Sequence, residues 1–402
     1  MINLENPKRY RGLVDQAHQV AAQMFRPISR TYDRAEHEYP KELDSLAAVL
    51  DGMNAGNADG GAGAGKLKQD ANADGSVVNG RNMAAVLGMF ELCWGDVALA
   101  LSLPRQGLGN AAISAVANEE QSKRLEGCWA AMAITEPGAG SDSAAIRTRA
   151  TVDGDDYILN GEKIFVTAGD RCDTVVVWAT LDPEAGRAAI KSFVVHKDNP
   201  GLEVVRLDHK LGIRASDTAT LQLTDCRVPK ADLLGSPEID VKRSFAGAMK
   251  TFDNTRPLVA AMAVGLARAS LEETRRLLED AGVTIDYDRP ALAQSAAAAR
   301  FMVLEADWEA ARLLTLQSAW MADNGQPNSM QASMGKAKAG RVGTEVSLGC
   351  VELAGALGYS EHSLLEKWAR DAKILDIFEG TQQIQLLIIA RRLLEKTSAE
   401  LK

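Results

Sequence analysis

Midway along the chain the apolar pattern changes, and this change limits the fold more than any other feature. From 129 to about 240 the runs "YILNGEKIFVTAG", "TVVVWATL", "IKSFVVH", "GLEVVRL" and "TATLQLTDCRV" are short and β-rich. Gly, Asn and Asp stand between them, as turns require. Upstream, "YRGLVDQAHQVAAQMFRPISRTYD" and "RNMAAVLGMFELCWGDVALALSL" carry apolar residues at helical spacing. Downstream, "RPLVAAMAVGLARASLEETRRLLEDAG" begins a stretch that predicts about four long helices, enough for an antiparallel bundle. The reading is therefore α+β: an N-terminal helical domain over 1–128, a β-domain over 129–240 and a C-terminal four-helix bundle over 241–402. A chain of 402 residues is too long for one ordinary core, which fits such a division. The Gly-, Ala-, Asn- and Asp-rich stretch at about 54–76 has no periodicity and is expected to be a flexible insertion.

Composition excludes several classes of function. The net charge of −9 argues against nucleic acid as a partner. No apolar run reaches membrane length, and the first residues lack the apolar core of a secretory signal. The five cysteines are scattered and form no CxxC pair, so they read as reduced thiols of a cytoplasmic protein. The five histidines show no metal-ligand spacing, and no metal site is expected.

Several short stretches could carry chemistry. Gly60–Leu67 is P-loop-like, but Leu67 stands where a Ser or Thr must reach magnesium, and no strand precedes it. A flexible linker is the better reading. "AITEPGAGSD", which holds Ile134, Thr135 and Ser141, offers small residues and two hydroxyls for a flat ligand, although an ordinary Gly-Pro turn explains it as well. "EKIFVTAG" is a strand that passes Phe165 and ends at the Thr167 hydroxyl and a Gly. "DNTRP" reads as a helix start, with capping by a polar residue and Pro257 in the first turn. Arg256 there could equally hold a polar or anionic ligand. "DIFEGTQQIQ" is the strongest oddity. Glu379 lies between Phe378 and Gly380, with helical apolar segments on both sides. A solvent-facing Glu at a helix end is common. These neighbours favour a partly buried acid, whose raised pKa would poise it as a base.

Taken together and in order, "ITEPGAGSD", "LNGEKIFVTAG", "KLGIRASDTATLQLTDCRVP", "FDNTRPLVAAMAVGLA" and "RDAKILDIFEGTQQIQ" resemble blocks of the acyl-CoA dehydrogenase family. The likeness spans nearly the whole chain and implies that family's three-domain fold. It also implies FAD as cofactor, an acyl-CoA thioester as substrate and electron-transfer flavoprotein as acceptor. The implied reaction forms trans-2-enoyl-CoA: a carboxylate takes the α-proton while a hydride leaves the β-carbon for flavin N5. By this resemblance Glu379 is the catalytic base. Some members carry the base on the "FDNTR" helix, where this chain has Thr255, which cannot serve. The same likeness puts Ile134, Thr135, Phe165 and Thr167 at the flavin ring. Ser141 falls at the flavin phosphates or the CoA arm, Asp253 and Arg256 at the CoA arm, and Gly380 beside the substrate. Thr381 and Gln383 fall at the FAD diphosphate and adenosine.

The resemblance fails in two blocks. The family's Arg-x-x-Phe-Gly motif, which reaches a neighbouring subunit's FAD, has Ala281 at the Arg position. The Gln-x-Phe-Gly-Gly-x-Gly block reads "ELAGALG", with Glu352 for Gln and Ala356 for the second Gly. A carboxylate near a diphosphate repels it, and a lost Arg removes a charge-assisted contact. All these changes fall on the half-site donated to a neighbour. The expectation is a heterotetramer with a paralogous subunit; the other assembly is a homotetramer that holds FAD through residues such as Arg289 or Arg300. An oxidase-like flavoenzyme and a non-catalytic supporting subunit remain as alternative functions. Glu379 argues against the second.

Overall fold

The computed structural model describes residues 8–54, 80–105, 107–239, 246–397 and 400, with side chains at 49–54 and 246–254 outside that set. The insertion expected at about 54–76 and the P-loop-like stretch lie outside the described residues. Among the described residues seven α-helices come first: α1 (Arg11–Val20), α2 (Arg26–Arg34), α3 (Glu42–Asn54), α4 (Arg81–Gly95), α5 (Val97–Leu101), α6 (Leu108–Val116) and α7 (Glu119–Arg124). Seven strands follow: β1 (Ala130–Ala133), β2 (Arg149–Asp153), β3 (Asp156–Thr167), β4 (Thr174–Thr180), β5 (Ile190–His196), β6 (Leu202–Leu207) and β7 (Thr218–Pro229). Helices return as α8 (Ala246–Asp280), α9 (Ala296–Asp323), α10 (Ser329–Ala354), α11 (Ala356–Tyr359), α12 (Leu365–Ala372) and α13 (Gln382–Leu393). Among the described residues no helix is long and apolar enough to cross a membrane.

The sheet runs β1-β4-β2-β3-β7-β6, with β5 also paired to β4. Strand β4 is buried along its whole length, which suits its unbroken "TVVVWAT" run. Strands β3 and β7 pair antiparallel, with irregularities between Leu159 and Gly161 and between Lys163 and Val166. A β-bulge at the second place turns the strand just where it carries Phe165.

Helices α4, α8, α9 and α10 share one core, while α6 packs on the sheet. Val86, Leu87 and Phe90 of α4 join Leu258, Ala261 and Val264 of α8, Phe301 of α9 and Val342 of α10. Helix α10 packs tightly because its sequence is rich in small residues. A Cβ at Gly340 would sit 2.8 Å from the Leu375 carbonyl oxygen, so this Gly lets the segment before Glu379 lie against the helix. Lys367 of α12 pins three parts of the chain. Its ammonium bonds Asp96 at 2.7 Å and Asp371 at 2.5 Å, and Asp371 accepts the Ile213 N–H at 2.5 Å.

Two local expectations differ from the structure. The fourth long helix of the bundle is broken: a 3-10 turn over Lys373–Asp376 and the "IFEGT" turn separate α12 from α13. The "DNTRP" stretch does not start a helix. Helix α8 begins at Ala246 and holds Pro257 inside it. The buried run Leu258–Ala263 explains how packing overrides the local start signal.

Candidate active site

Glu379 follows the 3-10 turn and precedes α13. Its φ is 55° and that of Gly380 is 89°, so two successive residues adopt the left-handed conformation. Glycine does this readily, whereas for Glu it is unfavourable and must be held from outside. Gln385, fully buried on α13, supplies part of that hold: its Nε2 donates to the Glu379 carbonyl at 3.2 Å and to the Gly380 carbonyl at 3.1 Å. Lys336 of α10 adds a third bond, from its ammonium to the Gly380 carbonyl at 2.7 Å. Thr381 caps α13, its hydroxyl accepting the Ile384 N–H at 3.4 Å.

The carboxylate itself accepts one bond from the Thr255 hydroxyl, at 3.0 Å to Oε2. Thr255 and Arg256 are buried neighbours on α8. Burial raises the Glu379 pKa, and Thr255, Arg256 and Lys336 only partly oppose that rise. Glu379 nevertheless keeps some accessible surface. A carboxyl that is desolvated while its residue is not fully enclosed has the form a base needs.

The second set of residues lies on the sheet. The loop after β1 carries Ile134 and Thr135; the end of β3 carries Phe165 and Thr167. The Ile164 N–H donates to the Thr135 carbonyl at 2.9 Å and ties the segments together. Phe165 has φ 59° and is 63% exposed, while Ile134, Thr135 and Thr167 are partly buried. An exposed aromatic ring beside two partly open hydroxyls fits a flat heteroaromatic group such as an isoalloxazine. Below them lies a buried ion pair, Lys163 with Glu136 at 2.7 Å. Glu136 also accepts the Thr148 hydroxyl at 2.6 Å and the N–H groups of Arg147 and Thr148 at 2.6 and 2.9 Å.

The predicted residues thus gather in two groups, Arg256, Glu379 and Gly380 in one, where Thr255 joins them, and Ile134, Thr135, Phe165 and Thr167 in the other. Ser141 and Gln383 are exposed at the edges of these segments. Asp253 lies on α8, but its side chain is outside the described residues. The sequence reading passed over Lys336, Gln385, Glu136 and Lys163. The signal for Lys336 was a Lys set among Gly and Ala in "MGKAKAG". Sequence spacing also hid one histidine cluster: Glu36, His37 and His209 bring their ligand atoms within 4.8 Å of one another. Glu36 is engaged there by His209 Nδ1 at 2.9 Å and the Lys210 N–H at 2.8 Å. Lys210 and Arg171, the cations beside His37, oppose a metal ion at this place.

Comparison with known proteins finds two matching family models: "Acyl-CoA dehydrogenase, middle domain" over residues 131–226 and "Acyl-CoA dehydrogenase, C-terminal domain" over 245–394. The probable acyl-CoA dehydrogenase fadE25 of Mycobacterium leprae is 35% identical over 325 residues, 78% of this chain and 80% of that one. The mitochondrial short-chain specific acyl-CoA dehydrogenase of Mus musculus is 36% identical over 268 residues, 67% of this chain and 63% of that one. The solved butyryl-CoA dehydrogenase from Megasphaera elsdenii superposes with a TM-score of 0.81 at 27% identity, covering 98% of this chain and 100% of that one.

Proposed function

Because the chain belongs to the acyl-CoA dehydrogenase family, we propose that it converts an acyl-CoA thioester to the trans-2-enoyl-CoA with Glu379 as the base. The family consists of FAD-dependent oxidoreductases of acyl-CoA metabolism that pass electrons to electron-transfer flavoprotein. FAD, when bound, supplies the acceptor for the β-hydrogen and its electron pair. The protein's own part is proton chemistry and positioning. The Cα–H bond breaks, its proton goes to Glu379 and its electron pair enters the new double bond. Thr255 holds Oε2, which leaves Oε1 for the proton. Ile134, Thr135, Phe165 and Thr167 would hold the flavin ring, with Thr381 and Gln383 toward its diphosphate and adenosine. Ser141, Asp253, Arg256 and Gly380 would hold the thioester and its CoA arm.

The observation that carries this reading is the desolvated Glu379 carboxyl, its pKa raised by burial and its backbone held in an unfavourable conformation. Replacement by Gln keeps shape and removes the base. Glu379→Gln should lower turnover by about 10²–10⁴-fold while acyl-CoA still binds. Turnover within a few-fold of the parent enzyme would end the assignment.

The assembly reading has its own support. Ala281, Glu352 and Ala356 are all exposed, so they are open to a neighbouring chain. They offer an FAD diphosphate there no cation and one carboxylate, which disfavours anion binding. The chain therefore completes its flavin site with a paralogous subunit in a heterotetramer. Expression of this chain alone should give sub-stoichiometric flavin, and a fully flavinated homotetramer would overturn this. The five cysteines are free thiols, which supports a cytoplasmic setting.

A further inference from the structure

We propose that Lys336 is a positioning residue for Glu379: its bond to the Gly380 carbonyl locks the turn that aims the carboxylate, and its ammonium charge favours the ionised acid. This rests on the reading of Glu379 as the base.

The geometry makes the case. Lys336 is 1% exposed, on the face of α10 that packs against the turn. Burying an ammonium is unfavourable unless something compensates it. A site built only for stability would place a carboxylate in direct contact with the amine. Lys336 instead donates to a backbone carbonyl, and it donates where, alone among the described residues, two left-handed residues follow each other. Gln385 bonds that same Gly380 carbonyl and the Glu379 carbonyl as well. The bond to the Glu379 carbonyl fixes ψ of Glu379, the two bonds to the Gly380 carbonyl fix ψ of Gly380, and together they hold the turn that carries the acid.

The charge acts beyond the contact. The charged groups facing Lys336 are Asp376 from the 3-10 turn, Glu379 from its own turn and Arg256 from α8. Around Glu379 stand Arg256 and the Thr255 hydroxyl from α8, with Lys336 from α10. Two cations and two carboxylates therefore act on one another around this turn. Burial, offset in part by the two acids, lowers the Lys336 pKa to about 8. The amine loses its proton as pH rises through that value, and with it goes support for the Glu379 carboxylate.

The test uses the flavin-loaded enzyme in its native assembly, with Lys336→Met and Lys336→Gln beside Glu379→Gln as control. Lys336→Met should lower kcat by roughly tenfold to a hundredfold, the scale of a misaimed catalytic group. The acid limb of its pH–rate profile should move to higher pH, because the acid loses a favourable charge. The alkaline limb near pH 8 should vanish. Lys336→Gln keeps a donor for the Gly380 carbonyl and should recover part of kcat without restoring the alkaline limb. An infrared titration of the Glu379 carboxyl, assigned by difference from Glu379→Gln, reads the charge effect without turnover and should show a higher midpoint in Lys336→Met. If both Lys336 variants fold and keep the parent kcat, limbs and midpoint, the proposal is wrong. If neither variant folds, the lysine serves the fold as a whole and the positioning role falls. Full activity in Glu379→Gln would instead overturn the base reading, a separate failure from an unaltered Lys336→Met.

Discussion

Two buried lysine–glutamate arrangements in this chain have opposite characters. On the sheet, Lys163 touches Glu136 directly at 2.7 Å, and Glu136 also receives a hydroxyl and two backbone N–H groups. Burial alone would raise the Glu136 pKa, but the lysine and these bonds outweigh it and hold the acid low. In the bundle, Lys336 turns to the Gly380 carbonyl, and Glu379 accepts a bond from Thr255. There burial prevails and the pKa rises. Both lysines are pushed down to about 8 by desolvation. The same residue types thus give a structural pin in one place and an acid of raised pKa in the other. The deciding difference is a lysine charge in direct contact with the acid, seconded by the hydrogen bonds the acid receives.

The largest effect should come from breaking the pin. Lys163→Met leaves Glu136 buried without its ion-pair partner, a loss of about 3–5 kcal/mol by urea unfolding. Lys336→Met should cost clearly less stability, since no carboxylate bonds that amine directly. Equal losses would erase the contrast.

A smaller effect sharpens the reactive side. Gly380→Ala puts a Cβ 2.5 Å from Gln385 Nε2 at a φ of 89°. Left-handed strain costs about 1–2 kcal/mol, and kcat should fall more than stability does. Unchanged kcat would show that the turn does not aim the acid.

The smallest effect concerns pH. The Glu379 pKa is raised in the folded state, so its contribution to stability is fully present below the ordinary carboxyl pKa. It is lost as pH rises through the folded value. Glu379→Gln should therefore raise Tm at neutral pH by about 1–2 °C and give no gain in acid. Glu136 has the opposite sign: its stabilisation is present above the ordinary carboxyl pKa and lost as pH falls through the lowered one. Glu136→Gln should lower Tm at neutral pH, with the gap closing on acidification. Matching pH dependence in the two variants would break the comparison.

Much of this was legible in the chain because the signals were local. Helical periodicity and β-rich runs are set by near neighbours, so the order of helices and strands could be read directly. Glu379 announced itself through Phe378 and Gly380. What stayed hidden depended on contacts distant in sequence. Lys336 lies 44 residues from the carbonyl it bonds, and a lysine in a helix ordinarily faces solvent. Glu136 and Lys163 lay inside quoted motifs, but nothing local pairs residues 27 apart. The "DNTRP" stretch misled for the opposite reason. Its capping residues and Pro257 are strong local signals, and the packing of α8 against α4 and α10 overrides them.

The most direct test isolates the proton step. An acyl-CoA whose β-carbon carries no hydrogen cannot be oxidised, yet its α-hydrogen can still exchange with solvent on the enzyme. Exchange should be fast in the parent protein, fade as pH falls through the raised Glu379 pKa, and be lost in Glu379→Gln. Exchange at the parent rate in that variant would mean that another group takes the proton.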